Sequence, residues 1–506
     1  MDTNKRFILA TVLFLVFLII WQMVYIKPQQ EKLKQAQRTV EAESTTISAT
    51  SAESGSVLVD TTRPAGIAQL TTPESSAVSA DTVVMVVENK LFSAKIDGHG
   101  TIRSFYIKKY HAELVPEGGY ILSTPFDENI LPAFDVKDTF RLEDSSLTLV
   151  FSTKIQDSVM AAKVYTFYPD SYLVKISVPD TVMFTGIKPN EENEKDELRY
   201  TGLIVYKNKL RKYAPKKFKK GLSIDLEDAE WVGYRTKYFM VTFVPQVKLD
   251  DIQGISDGKF NSKFTLISHG RLTGTAYLGP IDYYLLKDIG YGLWKAYDFG
   301  PSLIRPFAKV LLAILRFIYN NVVHNYGWAI VIFAVFMKLL FWPLNIKNLR
   351  NMHRMQELKP KLNALQKAYK DDPQKLQQET MELYKKYGVN PFSGCVVVLL
   401  QLPIFWAMFQ VLKTYIELRG APWILWIRDL SSKDPYYVLP ILMGAASLVQ
   451  ALMQPAQDEQ SRMTAIIMPI VFTFIFITFP SGVVLYWLTF NLLGILELLW
   501  IKKMHH

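Results

Sequence analysis

Apolar runs long enough to cross a bilayer flank one long stretch in which hydrophobic and polar residues alternate, so the chain predicts two kinds of structure. Near its start, Lys5 and Arg6 precede an apolar run from Phe7 to Ile26. This resembles a signal peptide, but no small-x-small cleavage site follows. The exit through Trp21, Tyr25, Lys27 and Pro28 suits an anchor that stays in the membrane, so residues 5–26 predict a signal-anchor transmembrane helix with its N-terminus inside. Residues 29–80 are rich in Ser, Thr, Ala and Glu with almost no aromatics; they cannot bury enough apolar surface to fold and predict a flexible linker. Within 81–300 short runs such as Leu147–Phe151, Ala162–Phe167 and Tyr172–Val178 alternate with period two between Gly, Pro, Asn and Asp. They predict an all-β sandwich.

Helical spacing then takes over. In residues 301–323, Leu303, Ile304, Phe307, Leu311, Ile314, Leu315 and Ile318 share one face while Arg305, Lys309 and Arg316 form a basic stripe. That fits an amphipathic helix in the membrane interface, with a core helix of the sandwich as the alternative. Residues 326–344 predict a second transmembrane helix, and 393–501 four more, near Ser393–Leu418, Tyr436–Gln454, Met463–Phe479 and Val483–Ile501. Residues 345–391 predict a helical hairpin. Leu349, Met352, Met355, Leu358, Leu362 and Leu365 mark one arm and Leu376, Thr380, Leu383 and Tyr387 the other, with Asp372 before Pro373 as start signal and Gly388 with Pro391 as stop. Its face is open to a solvated helix pair, to ribosomal RNA or to acidic lipid headgroups.

Composition agrees with this class: 506 residues, 49% hydrophobic and 13% aromatic, are too many for one domain and too apolar in the second half for a soluble enzyme. The fold class is a polytopic α-helical membrane protein of six transmembrane helices plus an all-β outer domain. A net charge of +10 invites a nucleic-acid reading, but the cations concentrate in 345–391, which places that segment in the cytoplasm, both termini with it, and the sandwich outside. The single cysteine, Cys395, excludes an internal disulfide and is expected to be a packing residue. His99, His111 and His269 are isolated, and Gly254 to Lys259 fails as a phosphate loop because only three residues separate its glycines and Phe260 stands where Ser or Thr is needed. No catalytic set, metal site or cofactor is expected, and the chain is not read as an enzyme.

Lys338 lies inside an otherwise apolar stretch, Trp328 to Leu344, where a charge costs about 3 kcal/mol on insertion scales. It faces a polar cavity or partner, or it snorkels to the interface near Pro343 and Asn345; position alone leaves both open. Glu497, in the last run, stands about as far before Lys502 as Lys338 before Pro343, so the two are expected at similar depth and as charge partners, with a separate interfacial place for Glu497 as the alternative.

Several blocks in one order carry a resemblance over most of the chain: Gly327-Trp328, Lys338 followed by Trp342-Pro343-Leu344, Val389–Cys395, Gln401–Phe405, Leu418–Pro422, Trp426–Leu430, Asp434–Tyr437, Leu439–Gly444 and Phe479–Gly482. They resemble the YidC/Oxa/Alb family of membrane protein insertases, in its Gram-negative type with a large periplasmic domain. Ile96–Ile102, Trp231 and Lys237–Phe239 are similar to that domain. The resemblance implies a multi-pass bacterial inner-membrane protein that acts as an insertase and chaperone in protein transport, with a five-helix bundle around a hydrophilic groove open to cytoplasm and lipid.

Lys338 occupies the place where the family usually has arginine. Ala334 stands where some members have a polar residue, so further groove polarity is expected from Gln401, Thr489 and Asn491. Leu402, Phe405, Tyr486 and Trp487 match positions that meet an entering transmembrane segment, with plain helix packing as the alternative. Implied partners are nascent membrane proteins, the ribosome, the Sec translocon with its accessory subunits, and membrane lipid; DNA is not among them. The other reading is a secondary transporter with an anion or coupling site at Lys338, against which stands the lack of an inverted repeat or matching broken helices.

Overall fold

Period-two alternation becomes strands between Val83 and Pro280. The computed structural model describes residues 83–127, 130, 138–155, 158–187, 194–369, 372–390, 393–454 and 459–504, all inside one compact unit, Ala77–His506. The expected signal anchor at 5–26 and linker at 29–80 lie outside the described residues, as does the side chain of Cys395.

An eight-stranded sheet runs in the order Lys209–Tyr213, Gly202–Lys207, Trp231–Arg235, Phe239–Pro245, Leu272–Pro280, Leu173–Val178, Ser158–Phe167 and Leu147–Ile155. A five-stranded sheet, from Ala112–Glu113 through Ile102–Ile107, Phe92–Asp97 and Val83–Glu88 to Asp138–Arg141, is antiparallel apart from its last pair. A four-stranded sheet joins Leu222–Asp225, Leu249–Ser256, Ser262–Ser268 and Thr181–Thr185. Both smaller sheets pack on the large one. Phe92 reaches Phe167 across the layers at 6.2 Å, while Phe184 meets Phe243 and Phe264 meets Tyr234, each at 5.2 Å. Interlocked aromatics of this size dominate such a core.

Lys163 is among the cations buried in this domain. Lys163 is fully buried, with Nζ 2.7 Å from Asp127 Oδ1 and donating to the Leu122 carbonyl at 2.9 Å. Burial pushes the ammonium below its ordinary range. Burial also works to raise Asp127, but Lys163 and the hydroxyls of Thr124 and Thr101 outweigh it and hold that carboxylate below its usual range. The Ile96–Ile102 block forms the adjoining turn: Asp97 Oδ1 accepts from the backbone N–H of His99 and Thr101, and the Tyr165 hydroxyl donates to the Gly100 carbonyl.

The helices are α1 (Glu194–Tyr200), α2 (Tyr283–Ile289), α3 (Arg305–Asn321), α4 (Tyr326–Glu357), α5 (Lys359–Ala368), α6 (Pro373–Lys386), α7 (Ser393–Thr414), α8 (Val438–Met453), α9 (Glu459–Phe476) and α10 (Ser481–Met504). Among the described residues two helices are long and apolar enough to cross a membrane, Tyr326–Glu357 and Ser481–Ile501. α3 buries Leu311, Leu312, Leu315 and Ile318, while two of its three cations lie on aromatic faces, Lys309 5.3 Å from Trp294 and Arg316 4.1 Å from Tyr284.

The helix boundary expected at Leu344 is not there. α4 continues through Pro343 for 32 residues, so Leu349 and Met355 belong to the same helix as Lys338. A proline removes one hydrogen bond and bends a helix without having to end it. The break falls instead at Leu358, with Pro360 in the first turn of α5. Met355, Leu358 and Val389 cluster with Tyr384 at the base of the α5–α6 pair, and Asn351 exchanges hydrogen bonds with the Asn390 backbone. Asp372 caps α6 by accepting from the Lys375 N–H, and Gly388 leaves it at φ +62°.

Candidate functional site

The Lys338 side chain is placed by the two faces of α4. Val335, Phe336, Leu339, Leu340 and Leu344 stand exposed on one; Ala329, Ile330, Phe333, Ala334, Met337 and Phe341 are buried on the other. Helical spacing puts Lys338 with the second set, and the residue is 8% exposed. Its Nζ lies 2.8 Å from Glu497 Oε2 on α10, with the two side chains 10% and 9% exposed, and 4.8 Å from the centre of the Phe490 ring. The ammonium therefore turns into the bundle rather than towards an interface.

Polar groups continue along α10. Asn491 donates to the Ser447 hydroxyl of α8, and the Gln450 amide lies where a β-carbon on Gly494 would sit. Residues 491, 494 and 497 recur every three positions, each step turning about 60° around the helix, so this row slants from the α8 side of α10 to the α4 side. The Thr489 hydroxyl donates to the Leu485 carbonyl of its own helix at 2.9 Å, and Gln401 on α7 is half-buried. Thus the structure pairs Lys338 with Glu497 where α4 meets α10 and Asn491 with Ser447 where α8 meets α10, and it adds Ser447 and Gln450, which sequence reading missed. Their signal was available: two polar residues three apart inside an apolar run.

The residues expected to meet an entering segment divide. Phe405 and Trp487 pack edge to face at 4.8 Å, and Trp487 reaches Phe476 of α9 at 5.7 Å. Phe479 extends this aromatic cluster between Phe476 and Phe409, at 4.8 and 5.0 Å. Leu402 is half-buried one turn before Phe405. Tyr486 is not part of the cluster. It is 4% exposed and faces Phe333 of α4 at 6.1 Å, because neighbouring residues on a helix point about 100° apart.

At the opposite end from the α5–α6 pair, the remaining sequence blocks close the helices together. Asp434 is fully buried and accepts from Trp426 Nε1 at 2.9 Å and from the backbone N–H of Tyr436 and Leu439. The Ser481 N–H and hydroxyl both donate to the Ser432 carbonyl, and the Gly482 N–H to that of Leu430. The β domain docks here. Lys109 Nζ and the Tyr110 hydroxyl each sit 2.7 Å from Glu417, Arg419 donates to the Tyr110 carbonyl, and the Tyr238 hydroxyl donates to that of Lys413. Tyr238 lies in the Lys237–Phe239 block, whose role is this junction.

Two family models match the chain. One described as 60Kd inner membrane protein covers residues 317–506, and one described as YidC periplasmic domain covers 132–314. The membrane protein insertase YidC of Campylobacter jejuni subsp. jejuni is 31% identical, covering 99% of this chain and 97% of its own. That of Syntrophus aciditrophicus is 36% identical over 74% of this chain and 72% of its own. A crystal structure of an active YidC insertase with its first transmembrane domain resolved matches at a TM-score of 0.39 and 21% identity, over 81% of this chain and 91% of that one.

Proposed function

The chain belongs to the YidC family of membrane protein insertases, and on that premise we propose how its residues carry a client into the bilayer. It is an inner-membrane insertase with a β-rich periplasmic domain, and its clients are nascent membrane proteins. Residues 5–26 together with α4, α7, α8, α9 and α10 make six spans with both termini cytoplasmic, the last five forming the bundle. The apolar exteriors support this count: Phe336, Leu340, Ile441, Val449, Phe474 and Leu496 are exposed where a soluble bundle would cover them.

The polar residues of α4, α8 and α10 make up the hydrophilic groove. One observation carries this reading: the bundle keeps the Lys338 charge on its inner side, paired with Glu497. A client segment of about 20 apolar residues gains roughly 0.3 to 0.6 kcal/mol for each Leu, Ile, Phe or Val it brings into lipid, so the obstacle is its polar tail. The groove shortens the apolar distance that tail must cross, and Lys338 attracts its acidic residues. Phe405 and Trp487, with Leu402 beside them, give the apolar part a surface to slide on before it leaves sideways into lipid. The α5–α6 pair faces the ribosome and anionic headgroups, and the Sec translocon shares some clients.

Photo-crosslinking tests this. A probe at Phe405 or Trp487 is expected to capture a stalled ribosome-bound chain and follow its apolar segment as it lengthens, while a control probe in the β domain does not. Silence at both bundle positions in folded protein overturns the reading.

A further inference from the structure

Glu497 is the residue the proposed mechanism leaves without a task. Only one of its oxygens is engaged: Oε2 holds Lys338, while Oε1 is buried with no hydrogen-bond partner among the described residues. An unmatched buried carboxylate oxygen is a costly arrangement, and a buried ion pair gains little over apolar packing unless its remaining valences are filled. Glu497 ends the row on α10 that carries Asn491, bonded to Ser447, and Gly494, against which Gln450 packs, so two further polar side chains lie within two turns of it. Among the described residues Lys338 is similarly incomplete, with one carboxylate and one aromatic face around three N–H donors.

We infer that Glu497 is a second subsite of the groove, one that takes cations and hydrogen-bond donors of the client's polar tail. This rests on the groove reading above. At rest the two charges hold each other and the groove is nearly neutral. A tail carboxylate goes to Lys338, and a tail ammonium, guanidinium or amide goes to Glu497 Oε1. A tail bearing one acid and one base satisfies both at once. The pair thereby makes a groove of two-signed selectivity where a lone cation would prefer acidic tails only.

The test uses the full-length protein in proteoliposomes and one client with a short outer tail in acidic, basic and neutral versions, with insertion read by protease protection. Glu497→Gln is expected to raise the ratio of acidic-tail to basic-tail insertion by about tenfold, and Lys338→Gln to lower it by a similar factor. If Glu497→Gln moves all three clients equally or not at all while Lys338→Gln shifts the ratio, Glu497 is not a subsite and the groove stands. If neither variant shifts the ratio, the groove reading fails with it. Should Glu497→Gln alone not accumulate, the Lys338→Gln/Glu497→Gln double variant decides: it must lose the basic-tail preference of the Lys338→Gln single, and keeping that preference overturns the proposal.

Discussion

The indole of Trp423 occupies the space that a side chain on Gly327 would need: a β-carbon built there falls 2.1 Å from Trp423 Cδ1. Trp423 also meets Trp328 at 5.7 Å, so the Gly327-Trp328 block is a socket at the start of α4 for the loop that follows α7. Gly327→Ala is therefore expected to destabilise the bundle by about 1 to 3 kcal/mol, since the added methyl overpacks a closed contact. Thermal unfolding in detergent checks it. Combined with Trp423→Ala, the two costs should be strongly non-additive, and simple addition would show that the contact is not shared.

Lys338→Glu is expected to stop insertion of clients with short acidic tails, because it sets two carboxylates against each other beside the tail's own. Lys338→Arg should keep activity, since the guanidinium retains the charge and can hold Glu497 through two N–H groups. Protease protection of an acidic-tail client separates the two, and equal activity in both variants would remove Lys338 from the mechanism.

Glu417 ties the β domain to the helices through Lys109 and Tyr110. Burial, and then the adjacent carboxylate, push the Tyr110 phenol well above its usual range, so it remains a donor. Glu417→Ala should cost about 1.5 to 3 kcal/mol at this junction. Hydrogen exchange of the backbone around residues 108–112 is expected to quicken by at least about tenfold, and unchanged exchange would mean that the docking depends on other contacts.

Acid should loosen the β domain through Asp127. Its folded value lies below its unfolded one, so its stabilisation is complete at neutral pH and is lost as the pH falls from about 4 through the lower folded value. Melting temperatures of the full chain between about pH 6 and pH 3 should fall more steeply than those of Asp127→Asn, which has already lost that ionisation. Parallel curves would show that the pair with Lys163 is not held charged.

Periodicity and charge were enough to separate a β region from apolar helices and to mark Lys338 as anomalous, because a period of two and a period of 3.6 leave different traces along a chain. The Asp372 cap was legible for the same reason: a helix start is a local event. The extent of α4 was not, since whether Pro343 bends or ends a helix depends on the packing around it. Nor could alternation show that two small sheets share one large one, because it reports that a face is buried and not by what. Glu497 and Lys338 are 159 positions apart in the chain, and equal depth was only grounds for expecting a pair. Only the packing of α4 on α10 chose one rotation for each helix, turned both charges inward and left Oε1 of Glu497 buried without a hydrogen-bond partner among the described residues.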